Sequence, residues 1–250
     1  MSTRLVPQGE PPTHFQFSGL AALGLPHITT TRHFPGVTAS SEPTAPFNAD
    51  ARQALRAANL DGARLSYLKQ VHGAETLRAP TGGGYAGVAD VLTTTERGVP
   101  LAIFTADCLA ITLWDSIARV LTMVHAGWRG TVKGAPVAAV KAAVQAGARA
   151  DQLHVAIAPS IGPCCYEVDE PVMRDFGHAY GRRAQAWFTP ARDGHAMLDL
   201  WKANEALLTD AGVDRAKIEN PRLCTACHLD LLYSYRKGNR GRLVTVAALP

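Results

Sequence analysis

The chain has 250 residues, 47% of them hydrophobic and 18% charged, with a formal net charge of +4. This is the balance of an ordinary globular protein, long enough to bury a sizeable core without disulfide staples. The 25 basic residues are spread along the chain without a Lys/Arg block, which argues for a solvated surface and against a nucleic-acid partner.

No segment reaches the ~18 consecutive apolar residues of a membrane helix, so no membrane association is expected. The stretch 19–25, GLAALGL, is too short and too glycine-rich for a secretory core. The expected location is the cytoplasm. There the five cysteines stay reduced, each buried, ligating or catalytic.

Residues 1–27 read as an N-terminal leader with loose structure, and 28–250 as a single domain. Residues 34–48, FPGVTASSEPTAPFN, form a Pro/Ser/Thr loop. A short helix is expected over 50–59, a strand running into a loop over 65–73 (LSYLKQVHG), and a glycine-rich turn over 82–87 (GGGYAG). LAIFTADC (101–108) and LAITLWD (109–115) make one long apolar run, and RVLTMVHA (119–126) another; both predict buried strands. After GWRG, Val137, Val140 and Val144 repeat at i, i+3, i+7 and predict a helix, with Pro136 in its first turn and Gly147 at its C-terminal cap. LHVAIAP (153–159) is a further strand, 199–212 an amphipathic helix that Asp199 could cap, and LVTVAAL (243–249) a closing strand. The alternation of strands and helices gives an α/β or α+β class with one core.

The two central runs predict a hairpin. A tight turn at Ser116-Ile117 would set Asp115 opposite Ala118 and Cys108 opposite His125, with Cβ atoms ~4.5–5.5 Å apart. Ser-Ile is not a favoured two-residue turn, so the register is open by a residue or two. A thiol and an imidazole so placed could share a metal ion or act as a nucleophile–base pair. Asp107 beside Cys108 is a charge whose burial is costly without a reason. His125 leads into GWRG, where helix-terminal amides and Arg129 suit an anion. His72, before a glycine in KQVHG, would complete a His–Cys–His set. Three N/S ligands with one open position is the arrangement of catalytic zinc, which lowers the pKa of water to ~7.

Other cysteines carry weaker signals. Cys164-Cys165 reads as a pair of buried thiols beside a tight turn. CTACH, Cys224 to His228, matches the C-x-x-C-H pattern of haem attachment, but that attachment belongs outside the bacterial cytoplasm and no export signal is visible. A lone CxxC is weak for zinc too, since a structural site needs four ligands. YSYRKGNRGR (233–242) carries four basic residues, either a solvated loop or a pocket wall for phosphate or a nucleobase.

Several stretches carry a resemblance: TTR…GVT (30–38), LKQVHG (68–73), ADVLTT (89–94), LAIFTADCLAITLWD (101–115), VHAGWRGTVKGA (124–135), IAPSIGPCCYEV (157–168) and CTACHLDLLYSYRKGNRGR (224–242). In this order and spacing the chain resembles the laccase-domain, polyphenol-oxidase-like proteins, also described as purine nucleoside phosphorylases. The resemblance implies zinc held by His72, Cys108 and His125, and a single-domain α/β (α+β) sandwich related to cysteine hydrolases. It implies Cys108, Asp107 and His125 as catalytic residues, and substrate or phosphate contacts from Arg32, Asn48, Arg129, Thr225, Tyr235, Arg236 and Arg242. The implied activities are phosphorolysis of adenosine, inosine and methylthioadenosine, and deamination of adenosine, on small-molecule partners, by a monomer or homodimer. Some relatives look like hydrolases that remove L-serine from a UDP-MurNAc peptidoglycan precursor. A non-enzymatic zinc module would need a closed four-ligand site, for which the sequence shows no obvious fourth ligand.

The resemblance is incomplete in places. The segment between Phe47 and Tyr67 is short, Asn59 competes with Asn48 for the family asparagine, and Leu243 and Cys227 lie off the family pattern. CTACH resembles a substrate-pocket segment, which leaves its haem-like spacing a coincidence. Multicopper oxidases use H-x-H pairs, and none of the nine histidines is two residues from another. Copper at a His–Cys–His site is therefore expected to be adventitious.

Overall fold

The computed structural model describes residues 5–36 and 47–250. In chain order these form β1 (Leu5–Gln8), β2 (His14–Phe17), α1 (Ser18–Ala22), β3 (His27–Thr30), α2 (Ala49–Ala57), β4 (Ser66–Lys69), β5 (Thr76–Arg78), β6 (Gly84–Val88), β7 (Val91–Thr94), β8 (Leu101–Thr105), β9 (Leu109–Asp115) and β10 (Val120–Ala126). There follow α3 (Trp128–Val132), α4 (Ala135–Gln145), β11 (His154–Ile157), β12 (Glu167–Asp169), α5 (Glu170–Tyr180), β13 (Phe188–Pro190), β14 (His195–Leu198), α6 (Leu200–Asp210), β15 (Ile218–Glu219) and β16 (Leu243–Ala247).

A seven-stranded sheet runs β1-β2-β3-β16-β8-β4-β6, and a six-stranded sheet runs β15-β11-β9-β10-β7-β5. Both are mixed: β4 lies parallel to β6 and β8 in the first, β5 parallel to β7 and β15 parallel to β11 in the second. A small antiparallel ribbon, β12-β14-β13, stands apart.

Side-chain alternation builds the layers. Ala110 and Trp114 of β9, with Leu121 and Met123 of β10, pack against Leu101, Ile103 and Leu68 of the other sheet. The opposite face of the same strands, Leu109, Ile111, Leu113, Val120 and Val124, packs on Ala139, Val140 and Ala143 of α4 and Leu207 and Leu208 of α6. Val244 and Val246 of β16 face Ala51 and Leu55 of α2. The result is an α/β/β/α sandwich. Strands β9 and β10 are covered on both faces, which explains their nearly unbroken apolar sequence. Each fully buried Leu or Met side chain there contributes roughly 1.5–3 kcal/mol.

Four expectations are corrected. Residues 5–25 are not loose: β1 and β2 extend the large sheet, and Phe17, Leu20 and Leu25 enter the inter-sheet core. The run 101–115 is two strands in different sheets, broken where Asp107 takes φ +85° and the chain crosses between layers. The hairpin pairs Asp115 with Val120 and His125 with Ala110, two residues from the expected register. A four-residue turn replaces Ser-Ile alone: Asp115 Oδ1 accepts from the amides of Ile117 and Ala118, and Arg119 takes φ +55°. Finally, GGGYAG is only partly turn, because Gly84–Val88 is a strand.

The helices follow their signals. Asp199 caps α6 by accepting from the Lys202 amide at 2.8 Å. Pro136 lies in the first turn of α4 and Gly147 follows its end at φ +109°. GWRG opens a separate five-residue helix, α3, because Gly134 at φ +82° breaks the chain before α4. Most of the 34–48 loop falls outside the described residues.

Candidate metal centre

His72, Cys108 and His125 converge, their ligand atoms all within 4.8 Å of one another. The two-residue register shift preserves this meeting because strand faces repeat every two residues. Cys108 therefore shares a face with His125 diagonally, and Gly127 takes the directly opposed position. A Cβ on Gly127 would lie 2.7 Å from Cys108 Sγ and 3.0 Å from His72 Cδ2, so any side chain there crowds the ligands. His72 Nε2 stands 3.8 Å from Cys108 Sγ, and the two imidazoles meet edge to face at 4.7 Å. His125 is buried, while His72 and Cys108 are mostly buried but keep some exposure, so what solvent access the group has is on their side.

Asp90 organises the donors. Fully buried, it accepts from His125 Nδ1 at 2.7 Å and from the amides of Val71, His72 and Gly73 at 3.1, 3.0 and 2.6 Å. One carboxylate thus fixes the His125 ring, leaves its Nε2 free to ligate, and pins the loop that presents His72. Those bonds hold His72 at φ +58°, a conformation that costs a non-glycine residue of order 1 kcal/mol. Burial pushes the Asp90 carboxyl up, but the bonds from His125 and the loop amides outweigh it and hold it below its ordinary value.

Burial likewise opposes charge on Cys108 and His125, yet each supplies the other's counter-charge. Hydrogen bonds and charge from His125 and His72 bring the Cys108 thiol down to about 6. Asp90 and Cys108 raise His125 to about 9. Without a metal these shifts favour a thiolate beside an imidazolium, the pairing of a low-pKa nucleophile, and a bound metal would take the place of the proton on His125 Nε2. Two imidazoles and a thiolate suit a borderline-soft ion such as zinc or copper.

A polar shelf adjoins this group. Asp107 Oδ1 accepts from Thr225 Oγ1 at 2.6 Å and Oδ2 from the Arg236 amide at 2.7 Å. The Arg236 guanidinium lies 5.2 Å from the Tyr166 ring centroid and donates to the Glu167 carbonyl. Burial, together with the charges of Cys108 and Asp107, pushes the Tyr166 phenol up, while Arg236 and Arg129 pull against it. Tyr166 therefore lies in the electrostatic field of four of the residues named from the sequence, and Arg236 stands over its ring. Arg129 itself stacks on Trp128 at 4.3 Å.

The remaining expected contacts have other partners. Arg32 donates to the Leu229 carbonyl and stacks on Tyr233. Asn48 caps α2 through the Ala51 amide. Arg242 donates to the carbonyls of Arg240 and Gly241. Tyr235 is exposed. Sequence reasoning missed Asp90 and Tyr166. Asp90 had a signal, a carboxylate abutting the buried VLTT run; Tyr166 had none. A cavity of about 680 Å³ beside α5 and β14, lined by Met173, Phe188, His195 and Ala196 among others, includes none of these groups. No helix of the described residues is long and apolar enough to cross a membrane.

Known proteins share this arrangement of sheets. The family described as multi-copper polyphenol oxidoreductase laccase matches residues 39–250. A purine nucleoside phosphorylase of Deinococcus radiodurans is 38% identical over 245 residues, covering 91% of this chain and 90% of its own. Adenosine deaminase RL5, from an unknown prokaryotic organism, is 37% identical over 158 residues, 62% of this chain and 60% of its own. The crystal structure of YlmD from Geobacillus stearothermophilus superposes with a TM-score of 0.86 at 26% identity, over 98% of this chain and 99% of that one. Among the described residues, His72–Cys108–His125 is the one histidine-bearing ligand group, so only a mononuclear centre answers the "multi-copper" of the description. By sequence and fold together, the chain belongs to the multi-copper polyphenol oxidoreductase laccase family.

Proposed function

We propose that the chain is a zinc-dependent purine nucleoside phosphorylase acting on adenosine, inosine and methylthioadenosine, with adenosine deaminase activity. One observation carries this reading: a three-donor site, open on one side, next to a shelf of Asp107, Tyr166, Thr225 and Arg236. The relatives' names supply the substrate class. Bound zinc supplies Lewis-acid charge and lowers the pKa of water towards ~7.

The chain's own groups do the rest. The Arg236 guanidinium lies over the Tyr166 ring, and this planar pair offers a stacking surface for a purine. Arg129 and Arg236 supply positive charge for phosphate. Asp107 holds Thr225 and the Arg236 backbone, and each of its oxygens keeps a lone pair with which to carry a proton. Arg32, Asn48, Tyr235 and Arg242 remain expected substrate or phosphate contacts; the first two and Arg242 have intramolecular partners and Tyr235 is exposed.

A second reading rests on the low Cys108 thiol beside protonated His125, the pairing of a cysteine hydrolase. In it, Cys108 attacks an amide carbonyl of a serine-bearing peptidoglycan precursor, the C–N bond breaks as His125 protonates the leaving amine, and water then hydrolyses the thioester to free the acid and the thiol. The test incubates zinc-loaded protein with inosine and with adenosine, with and without phosphate, beside Cys108→Ala. Phosphate-dependent release of the free base, lost in Cys108→Ala, is the expected result. No turnover of either nucleoside by zinc-containing protein would refute the phosphorylase reading and favour the hydrolase.

A further inference from the structure

We propose that Cys164, Cys165, Cys224 and Cys227 form a second, closed metal site that binds one zinc ion and clamps the turn at Gly162–Tyr166 to the segment beginning at Cys224. Each pair alone lacks the ligands for such a site; the fold unites them.

The four Sγ atoms all lie within 4.8 Å of one another. Cys227 Sγ is 3.5 Å from that of Cys164 and 3.4 Å from that of Cys165. A tetrahedral ion with Zn–S bonds of ~2.3 Å spaces its sulfurs ~3.8 Å apart, so the thiols stand at the spacing of a single-ion site. A multi-iron cluster spreads its thiolates around several metal atoms and needs them farther apart. All four cysteines are free.

Local structure converges on the same geometry. Ser160 and Cys224 make a parallel bridge, with the Ser160 amide donating to the Leu223 carbonyl and the Thr225 amide to that of Ser160. This lays the two segments side by side. The Cys165 and Tyr166 amides close a turn on the Gly162 carbonyl, and the Cys227 amide closes another on that of Cys224. Each turn thus presents its pair of thiols to the same space. The buried Cys224 sulfur accepts from the Gly162 amide at 3.2 Å. An amide aimed at the sulfur favours its thiolate, the form that ligates. Four soft donors with no open position suit a structural zinc ion.

The site would be a clamp for the shelf. Tyr166 directly follows Cys165, and Thr225, which holds Asp107, lies between Cys224 and Cys227.

The test measures zinc in protein purified under reducing conditions, in a Cys108→Ala background that empties the other site, so it stands apart from the phosphorylase reading. Cys164 and Cys227 are exposed and accept serine without a core defect. The Cys108→Ala chain should hold one zinc, and the added pair Cys164→Ser and Cys227→Ser should hold none while circular dichroism shows it folded. Cys227→His, which keeps a ligand, should retain the ion. With cobalt in place of zinc, the intense visible bands of a tetrahedral tetrathiolate should appear in Cys108→Ala and vanish with the serine pair. Folded Cys108→Ala free of zinc, zinc retained by the serine pair, or a disulfide among the four under these conditions would overturn the proposal.

Discussion

The His72–Cys108–His125 group and the four-cysteine group are built in opposite ways. The first sits at the ends of core strands, and a buried carboxylate, Asp90, holds two of its donors in place. The second sits on two surface turns and has no such brace beyond backbone amides. The first offers three donors and an open side; the second offers four and encloses its centre. Preorganised donors with a free direction suit chemistry, whereas a closed tetrathiolate suits holding two segments together. The same element type, a cysteine at a turn, thus takes different work according to how many ligands the fold brings to it.

The comparison can be broken by substitutions, beginning with the largest effect. Cys108→Ala should cut inosine turnover by more than the roughly 100-fold that losing an outer partner costs, with unfolding temperature nearly unchanged. A Cys108→Ala enzyme of near-normal turnover would remove the centre from the chemistry. Asp90→Asn should weaken metal binding by ~10–100-fold in a chelator competition, because it loosens both His125 and the His72 loop. Unaltered affinity would mean the donors are held by packing alone. Gly127→Ala should lower affinity less: φ −80° tolerates alanine, so the only injury is the crowding of Cys108 Sγ and His72. Thr225→Val should leave metal content intact but raise KM, since a buried Asp107 oxygen loses its donor at about 1–3 kcal/mol.

A control far from both groups gives the smallest effect. Buried His27 accepts from the Phe17 amide and donates to the Leu25 carbonyl, and burial lowers its pKa below 6.5. The folded chain resists protonating His27 while the unfolded chain does not. Its contribution is therefore complete above 6.5 and is lost as pH falls towards the lowered folded value, with a slope of at most ~1.4 kcal/mol per pH unit. Urea unfolding at several pH values should show that slope, and His27→Gln should flatten it.

Much of the centre could be read in the sequence because its signals are local. Cys108 and His125 lie on adjacent apolar runs, and the two-residue error in register left them on one face. Asp199 and Gly147 marked helix ends by their own chemistry. What escaped depended on distant contacts or on weak patterns. Asp90 acts across 18 residues on His72 and 35 on His125. The four cysteines meet only through the Ser160–Cys224 bridge, which no periodicity foretells. Strands β1 and β2 are four residues each and only partly buried, too short for alternation to stand out. The break at Asp107 was hidden because two strands of different sheets read as one apolar run.

The most direct test of the central claim is a metal titration of chelator-treated protein, with inosine phosphorolysis and bound zinc followed together. Turnover should be absent at the start, rise with zinc bound at His72, Cys108 and His125, and stay absent in Cys108→Ala at any zinc concentration. Full turnover in the chelator-treated chain, or in zinc-loaded Cys108→Ala, would contradict the account.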